Sequence, residues 1–300
     1  MMASVDLAEM EGVYKRFGDT TALDGFDLRV RRGELVALLG ENGAGKTTAI
    51  SLMLGLQTPD AGQIRMFGLP PGDMEARRRL GVMLQEVFMA PELKVRELVT
   101  LFASYYPDGH DPDEILRMTN TDSLGDRRYG LLSGGQKRQV QFAIALCGKP
   151  ELLFLDEPTV GLDVQARQGL WDIVRKQVDA GCSILLTTHY LEEAEALADR
   201  IVVLAKGRVV KSGTVKEVTQ SISTRRITCT SRLTADEVGS WPGVAIAVVE
   251  NGSLKLTVDH AELESTVSRL LERDNTLGDL SVSQAGLADA FVKITQENRL

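Results

Sequence analysis

An eight-residue segment constrains the fold of this 300-residue chain more than any other feature. It fits the pattern G-x-x-x-x-G-K-[ST], in which glycines let the backbone wrap closely around a phosphate with its N–H groups pointing inward. A short apolar strand (34–39) precedes the segment and a helical pattern (46–56) follows it, so the positive end of the helix dipole adds to the same site. The segment consists of Gly40, Glu41, Asn42, Gly43, Ala44, Gly45, Lys46 and Thr47.

This motif predicts roles for individual side chains. Lys46 is expected to reach the β- and γ-phosphates of a nucleotide, and Thr47 is expected to bind Mg²⁺. We assign the whole segment, together with Thr48, to nucleotide binding, with ATP and Mg²⁺ as the cofactors. The alternative is an ordinary glycine-rich turn with a surface lysine, and the flanking strand and helix argue against it.

A second segment is an apolar strand (152–155) that ends in the two carboxylates Asp156 and Glu157. In other P-loop ATPases such a strand lies beside the phosphate loop, which would place Asp156 near the metal. Glu157 would then face the γ-phosphate and could orient or deprotonate an attacking water. Alone, the segment is equally compatible with a strand that ends in solvated acids. The phosphate loop upstream favours the catalytic interpretation.

A third segment reads Leu132-Ser133-Gly134-Gly135-Gln136. A serine and two glycine N–H groups at a helix start form a second anion-binding site, which one phosphate loop does not need but a nucleotide held between two subunits does. With this segment the chain clearly resembles the ABC ATPase family, over about residues 9–220. The alternative is a serine-capped helix with a flexible entry. We assign Ser133, Gly134, Gly135 and Gln136 to nucleotide binding.

The resemblance implies roles for four further residues. Tyr14 matches the aromatic residue that stacks on adenine, and Gln85 matches the glutamine that senses the γ-phosphate and Mg²⁺ and faces the membrane partner. Asp163 matches the loop that crosses between subunits and is also a candidate helix N-cap. His189, after the strand 183–188, matches the histidine that contacts the γ-phosphate. The implied catalytic set is Lys46, Gln85, Glu157 and His189, and the implied metal ligands are Thr47, Gln85 and Asp156.

The resemblance also implies an architecture and partners. The expected fold is an α/β P-loop NTPase (RecA-like) core with an antiparallel β-subdomain and a helical subdomain that carries the signature. The family forms head-to-tail dimers, so Ser133 of one copy would complete the site built on Lys46 of the other. No motif is degenerate, which predicts a homodimer with two competent sites.

Within the family, segments 159–163 and 187–194 look like those of ABC-2-type exporters, which include daunorubicin-type drug efflux ATPases. This predicts a subunit that energises export through a separately encoded integral membrane permease. One alternative is an importer cassette with a regulatory C-terminal domain. Another is a soluble ABC ATPase acting on ribosomes or DNA. The 87 positions between Lys46 and Ser133 leave no room for a long coiled-coil insertion, which disfavours the last.

Strand and helix patterns predict two domains. Strands alternate with helices from residue 152 to 204, which favours a parallel sheet with crossover helices. A polar stretch (218–226) is a plausible linker to three strands (227–230, 244–249, 253–258) and two helices (261–271, 287–297). We therefore predict an ABC ATPase domain over 1–220 and a small α+β domain over 226–300.

Composition limits the cellular setting. The net charge of −8 disfavours binding of nucleic acid, whose phosphates would repel the protein's field. The most apolar runs are far shorter than the roughly 20 residues of a membrane-spanning helix. Cys147, Cys182 and Cys229 are scattered and odd in number, which suggests free thiols in a reducing compartment. The sequence predicts a cytoplasmic protein, peripheral on the cell membrane through its permease partner.

Overall fold

The computed structural model describes residues 6–85, 87–220, 224–250, 252–284 and 286–297. The chain divides into two compact units, Met1–Thr214 and Val215–Leu300. No helix among the described residues is long and apolar enough to cross a membrane. The helix Val215–Gln220, which the sequence analysis placed in the first domain, is grouped with the second unit. The domain ranges 1–220 and 226–300 stay predictions.

The first unit alternates strands and helices. Its elements in chain order are β1 (Asp6–Phe17), β2 (Thr20–Arg31), β3 (Leu35–Leu39), α1 (Lys46–Met53), β4 (Ala61–Met66), α2 (Met74–Arg78), β5 (Leu80–Met83), α3 (Val95–Ala103), α4 (Pro112–Met118), α5 (Gly134–Ala145), β6 (Leu152–Asp156), α6 (Val164–Asp179), β7 (Ser183–Thr188), α7 (Leu191–Leu197), β8 (Arg200–Ala205) and β9 (Arg208–Gly213).

Six of these strands form the central sheet, in the order β5-β6-β7-β3-β8-β9. The first five are parallel, and β9 returns antiparallel to β8. Every residue of β3, β6 and β7 is buried, as expected of short apolar strands that are covered on both faces of a parallel sheet. The predicted α/β fold with a parallel core sheet is confirmed.

Two further layers surround this sheet. An antiparallel sheet in the order β2-β1-β4 buries one face against α1 and the core sheet through residues such as Phe26 and Ile50. Helices α3, α4 and α5 pack around a separate apolar cluster that includes Val99, Ile115 and Val140. These layers correspond to the predicted antiparallel β-subdomain and helical subdomain.

The carboxyl ends of three adjacent strands position the functional side chains. Strand β3 leads into the phosphate loop, and its last residue, Leu39, is opposite Thr188 at the end of β7. On the other side of β7, Thr187 is opposite Asp156 at the end of β6. The phosphate loop and the two predicted acidic residues therefore meet at one edge of the sheet.

The second unit is built around its own antiparallel sheet. The elements of this unit are α8 (Val215–Gln220), β10 (Thr224–Thr230), α9 (Ala235–Gly239), β11 (Val244–Glu250), β12 (Ser253–Asp259), α10 (Leu263–Arg273), β13 (Gly278–Gln284) and α11 (Leu287–Glu297). The strand order in the sheet is β11-β12-β10-β13. An apolar cluster that includes Ile227, Leu256 and Leu270 lies between the sheet and helices α9 and α10.

Several short elements were absent from the sequence prediction. Strands β5, β9 and β13 are only four, six and seven residues long, and β9 is partly buried while β13 is largely exposed. Short or exposed strands carry a weak hydrophobic period, so their pairing partners decide their structure. Helix α1 also ends at Met53, before the predicted limit at residue 56.

Candidate functional site

The phosphate loop has the backbone conformation that its glycines predict. Gly43 and Gly45 have φ values of 81° and 113°, in the region that favours glycine. A Cβ atom on Gly45 would lie 2.4 Å from the carbonyl oxygen of Ala22, so a side chain does not fit there. The buried Lys46 begins α1, and its Nζ donates to the carbonyl oxygens of Gly40 at 2.8 Å and Glu41 at 3.2 Å.

A cleft of about 370 Å³ opens over this loop. It brings together residues from the phosphate loop with Gln85, Glu157 and His189, which the sequence analysis assigned to one site. Sequence reasoning missed three of the lining residues, Thr20, Ala22 and Val160, because their types carry no chemical signature. The lining consists of Thr20, Ala22, Asn42, Gly43, Gly45, Lys46, Thr47, Thr48, Gln85, Glu157, Val160 and His189.

The predicted metal ligands Thr47 and Asp156 are neighbours. Thr47 Oγ1 lies 3.4 Å from Asp156 Oδ2. Asp156 is buried, and its other carboxylate oxygen accepts a hydrogen bond from the hydroxyl of Thr187. Thr187 is a positioning residue that sequence reasoning missed, and its signal was a polar side chain inside a fully buried strand. A hydroxyl and a carboxylate are the oxygen ligands that Mg²⁺ accepts alongside phosphates.

Glu157 follows Asp156 and faces the cleft with an unusual backbone. Its φ is 52°, a left-handed conformation that costs a residue with a side chain about 1 kcal/mol or more. Its N–H donates to the carbonyl oxygen of Thr187 at 3.0 Å and lies 3.2 Å from the hydroxyl oxygen of the same residue. Its carboxylate contacts His189 Nδ1 through Oε2 and lies 3.9 Å from Lys46 Nζ through Oε1.

Burial and neighbouring charges have opposite effects on the pKa of Lys46. Burial lowers the pKa of the Lys46 ammonium below its usual value, while the carboxylates of Glu157 and Asp156 raise it. The ammonium therefore depends on nearby negative charge to compensate for its lost hydration. A phosphate chain bound in the loop supplies such charge.

Arg138 is a further residue that sequence reasoning missed. It lies on α5, five positions after Ser133, and is only 8% exposed. Its guanidinium donates to backbone carbonyls of residues 84, 85, 156 and 157. The only sequence signal was an arginine among the mostly apolar residues on the buried side of α5.

The signature segment stands apart from this cleft. Ser133 is the exposed N-cap of α5, where its hydroxyl accepts a hydrogen bond from the N–H of Gln136. The Gln136 side chain accepts a hydrogen bond from the N–H of Ser133 in return. Ser133, Gly134, Gly135 and Gln136 do not line the cleft built on Lys46 of the same chain.

Asp163 and Tyr14 also lie outside the cleft lining, as do Asp156 and three residues of the phosphate loop, Gly40, Glu41 and Ala44. Asp163 caps α6 by accepting a hydrogen bond from the N–H of Ala166 at 2.8 Å, so the helix-cap interpretation is confirmed. Tyr14 lies on β1 with 45% of its surface exposed. Its proposed contact with an adenine ring and the proposed role of Asp163 between subunits stay predictions.

Known proteins are similar to this chain over most of its length. The family profile described as ABC transporter matches residues 23–160. A daunorubicin resistance ATP-binding protein of Streptomyces coeruleorubidus is 35% identical over 308 residues, covering 97% of this chain and 96% of the relative. The chain belongs to the ABC transporter ATP-binding family. It is an ATP-binding ATPase subunit.

Two further members of the ABC family are similar to about three quarters of this chain. A Nod factor export ATP-binding protein I of Burkholderia thailandensis is 40% identical over 227 residues, covering 73% of this chain and 74% of the relative. A solved structure of the ATP-binding subunit of an ABC transporter has a TM-score of 0.66 at 30% identity. It covers 72% of this chain and 92% of its own chain. The predicted ABC fold and ATPase activity are confirmed.

Proposed function

We propose that this ABC ATPase hydrolyses Mg·ATP in the cleft above the phosphate loop, with Glu157 as the general base. The observation that carries the proposal is the position of Glu157, whose carboxylate lies between Lys46 Nζ and His189 Nδ1. A phosphate held by Lys46 would place its terminal group beside that carboxylate. Glu157 then takes a proton from the attacking water, and His189 orients the carboxylate and contacts the γ-phosphate.

The same proposal assigns Mg²⁺ to Thr47 and Asp156, with Gln85 nearby in the cleft. The adjacent oxygens of Thr47 and Asp156 fit a cation that keeps several waters and takes its other ligands from phosphates. When bound, Mg²⁺ neutralises charge on the phosphates. The chain's own residues hold the triphosphate, position the water and accept the proton.

We propose further that two copies assemble head to tail to complete each site. The two glycines and the serine at the start of α5 form an anion site that is exposed and lies outside the chain's own cleft. A second copy would place this helix start against the γ-phosphate held by the first. Asp163 at the start of α6 is assigned to the same subunit junction, and Tyr14 is assigned to the adenine.

The transport role assigned to the protein is export through a separately encoded membrane permease, with the ATPase on the cytoplasmic face. The names of the two relatives describe drug resistance and Nod factor export. Exposed apolar side chains suit a membrane-protein partner: Phe88, three positions after Gln85, is 94% exposed, and Leu101 and Tyr105 are also exposed. We place the ATPase function in residues 1–220 and treat 226–300 as a separate small domain.

A pull-down with the Glu157→Gln protein tests this function. The variant, with Mg·ATP, is recovered from mild-detergent extracts of its native cells and its partners are identified by mass spectrometry. A stoichiometric multi-spanning membrane protein is the expected result. The Glu157→Gln/Phe88→Ser double variant should recover less of that protein, and the Phe88→Ser single variant should hydrolyse ATP normally in solution. Recovery of ribosomal proteins or nucleic acid would overturn the transport role but leave the ATPase chemistry standing.

A further inference from the structure

Arg138 connects three segments that carry the proposed ATPase site. Its Nη1 donates to the carbonyl oxygens of Leu84 at 2.9 Å and Gln85 at 3.1 Å, at the end of β5. Its Nη2 donates to the carbonyl oxygen of Asp156 at 3.2 Å and to that of Glu157, at the end of β6. The arginine itself belongs to α5, the helix that begins with the signature serine.

The contact with Glu157 bears on the conformation of that residue. Left-handed backbone persists at a residue with a side chain only when its surroundings hold it there. At Glu157, Thr187 holds the N–H, and Arg138 holds the carbonyl oxygen. Removing either contact would let the backbone relax towards the common regions and turn the carboxylate away from Lys46.

Only a guanidinium can make these contacts together. Its planar fork presents several donors at once, and the two terminal nitrogens of Arg138 each reach carbonyls from a different strand end. Gln141, one turn further along α5, accepts from Nη1 at 3.2 Å and donates to the hydroxyl of Tyr129 at 3.0 Å. The fork is thus itself oriented by the helical layer.

Arg138 is also part of the group of buried charged side chains at the site. Lys46, Arg138, Asp156 and Glu157 are all buried, which makes a group of two positive and two negative side chains. Burial lowers the pKa of Arg138 from its usual value, and the carboxylates of Asp156 and Glu157 raise it. A buried charge needs such partners to offset its lost hydration.

We propose that Arg138 is a positioning residue that holds Glu157 and Gln85 in their catalytic places and ties both to the signature helix. The inference rests on the roles proposed above for Glu157 and Gln85. Since α5 would carry its first residues to the nucleotide of the partner subunit, movement of this helix on dimer closure is transmitted through Arg138 to the chain's own catalytic carboxylate. Arg138 acts through these residues and does not touch the nucleotide.

The test compares Arg138→Met and Arg138→Lys with Glu157→Gln and the wild-type protein. Methionine keeps an unbranched stem but has no N–H donor, so kcat should fall about tenfold to a hundredfold while the Kd for ATP changes by less than about threefold. Lysine keeps the positive charge without the planar fork, so the kcat of Arg138→Lys should lie between those of Arg138→Met and the wild-type protein. Gln141→Met, which only loosens the fork, should lose less.

Arg200→Met is the matched control. Like Arg138, Arg200 donates several hydrogen bonds from its guanidinium, here to the carboxylate of Glu34 and the carbonyl oxygen of Arg29. These contacts lie near the opposite end of β3 from the phosphate loop. This variant should melt at a lower temperature with unchanged kcat. A purely structural role for Arg138 would give the same pattern in Arg138→Met.

Three results decide between the two proposals. Wild-type kcat in Arg138→Met, or equal losses of kcat and ATP affinity, would overturn the role of Arg138. Normal turnover in Glu157→Gln would instead overturn the assignment of the general base. If Arg138→Met does not fold, the graded kcat values of Arg138→Lys and Gln141→Met still decide, because unchanged values in both would contradict the proposal.

Discussion

Glu157 Oε2 and His189 Nδ1 are in hydrogen-bond contact where two neighbouring strands of the central sheet end. The residues are 32 positions apart in the chain, and the pairing of β6 with β7 brings them together. Glu157 is buried, whereas the side chain of His189 is 43% exposed towards the cleft. The pair therefore presents a fixed carboxylate and an accessible imidazole to a bound phosphate.

Replacing Glu157 with glutamine should separate ATP binding from hydrolysis. The amide keeps the size of the side chain but cannot accept the proton of the attacking water, so we expect kcat to fall at least about a hundredfold. ATP affinity should be retained, and the ATP-bound dimer should accumulate because it no longer turns over. Phosphate release and light scattering measure the two effects. Free turnover would contradict the assignment of Glu157.

Replacing Lys46 with alanine should weaken nucleotide binding itself. The variant loses the only ammonium that lines the cleft among the described residues, and we expect a loss of ATP affinity of about tenfold or more. Equilibrium binding of a fluorescent ATP analogue measures it. Lys176→Ala removes an exposed lysine of α6 and is the control. Equal affinity of the Lys46 variant and wild type would exclude the phosphate-loop interpretation.

Replacing Ser133 with arginine should block dimer closure while the monomer still binds ATP. Ser133 and Thr234 each cap a helix through a capping box, so each substitution should cost about 1 kcal/mol of stability. Only Ser133→Arg places a bulky charge at the proposed subunit junction. In the Glu157→Gln background, where the ATP-bound dimer does not turn over, sedimentation with Mg·ATP should therefore show a dimer for Thr234→Arg and a monomer for Ser133→Arg. A normal dimer of the serine variant would argue against the composite site.

Hydrolysis should also depend on protein concentration. If each site needs the signature segment of a second copy, the rate per subunit rises with concentration until dimers predominate. The measurement is steady-state phosphate release over a dilution series at saturating Mg·ATP. A rate per subunit that is constant down to concentrations where the protein sediments as a monomer would show that one chain suffices.

Alkaline pH should destabilise the fold through two buried thiols. Burial raises the pKa of Cys147 and of Cys182 from 9.0 to about 12. Above pH 9 the unfolded chain loses these protons while the folded chain keeps them, so the stabilising effect is complete below pH 9 and is lost as pH rises towards 12. Each thiol should contribute a slope of about 1.4 kcal/mol per pH unit. Urea unfolding of wild type and the Cys147→Ala/Cys182→Ala variant, from pH 8 to 10.5, measures the difference in slope. Equal slopes would contradict the prediction.

Local sequence patterns were sufficient for the central strands and for the motifs. Strands β3, β6 and β7 are short, mostly apolar runs, and β3 and β6 adjoin the phosphate loop and the acidic pair. Apolar runs and motifs of this kind can be recognised in a single sequence. The edge strand β5 was missed because it is only four residues long. Strand β9 was missed because only two of its six residues are apolar, and both edge strands depend on their neighbours for hydrogen bonds. Strand β13 resembles β9 in having few apolar residues.

The sequence by itself determined the chemistry of the site, because a phosphate loop, an acidic strand end and a signature each need particular residues at fixed spacing. The tertiary structure alone decided which distant residues meet. Thr187 reaches Asp156 and Arg138 reaches the carbonyl of Glu157 only because β6, β7 and α5 pack together. A threonine in a strand and an arginine in a helix are common residues, and only their partners in space give them a role.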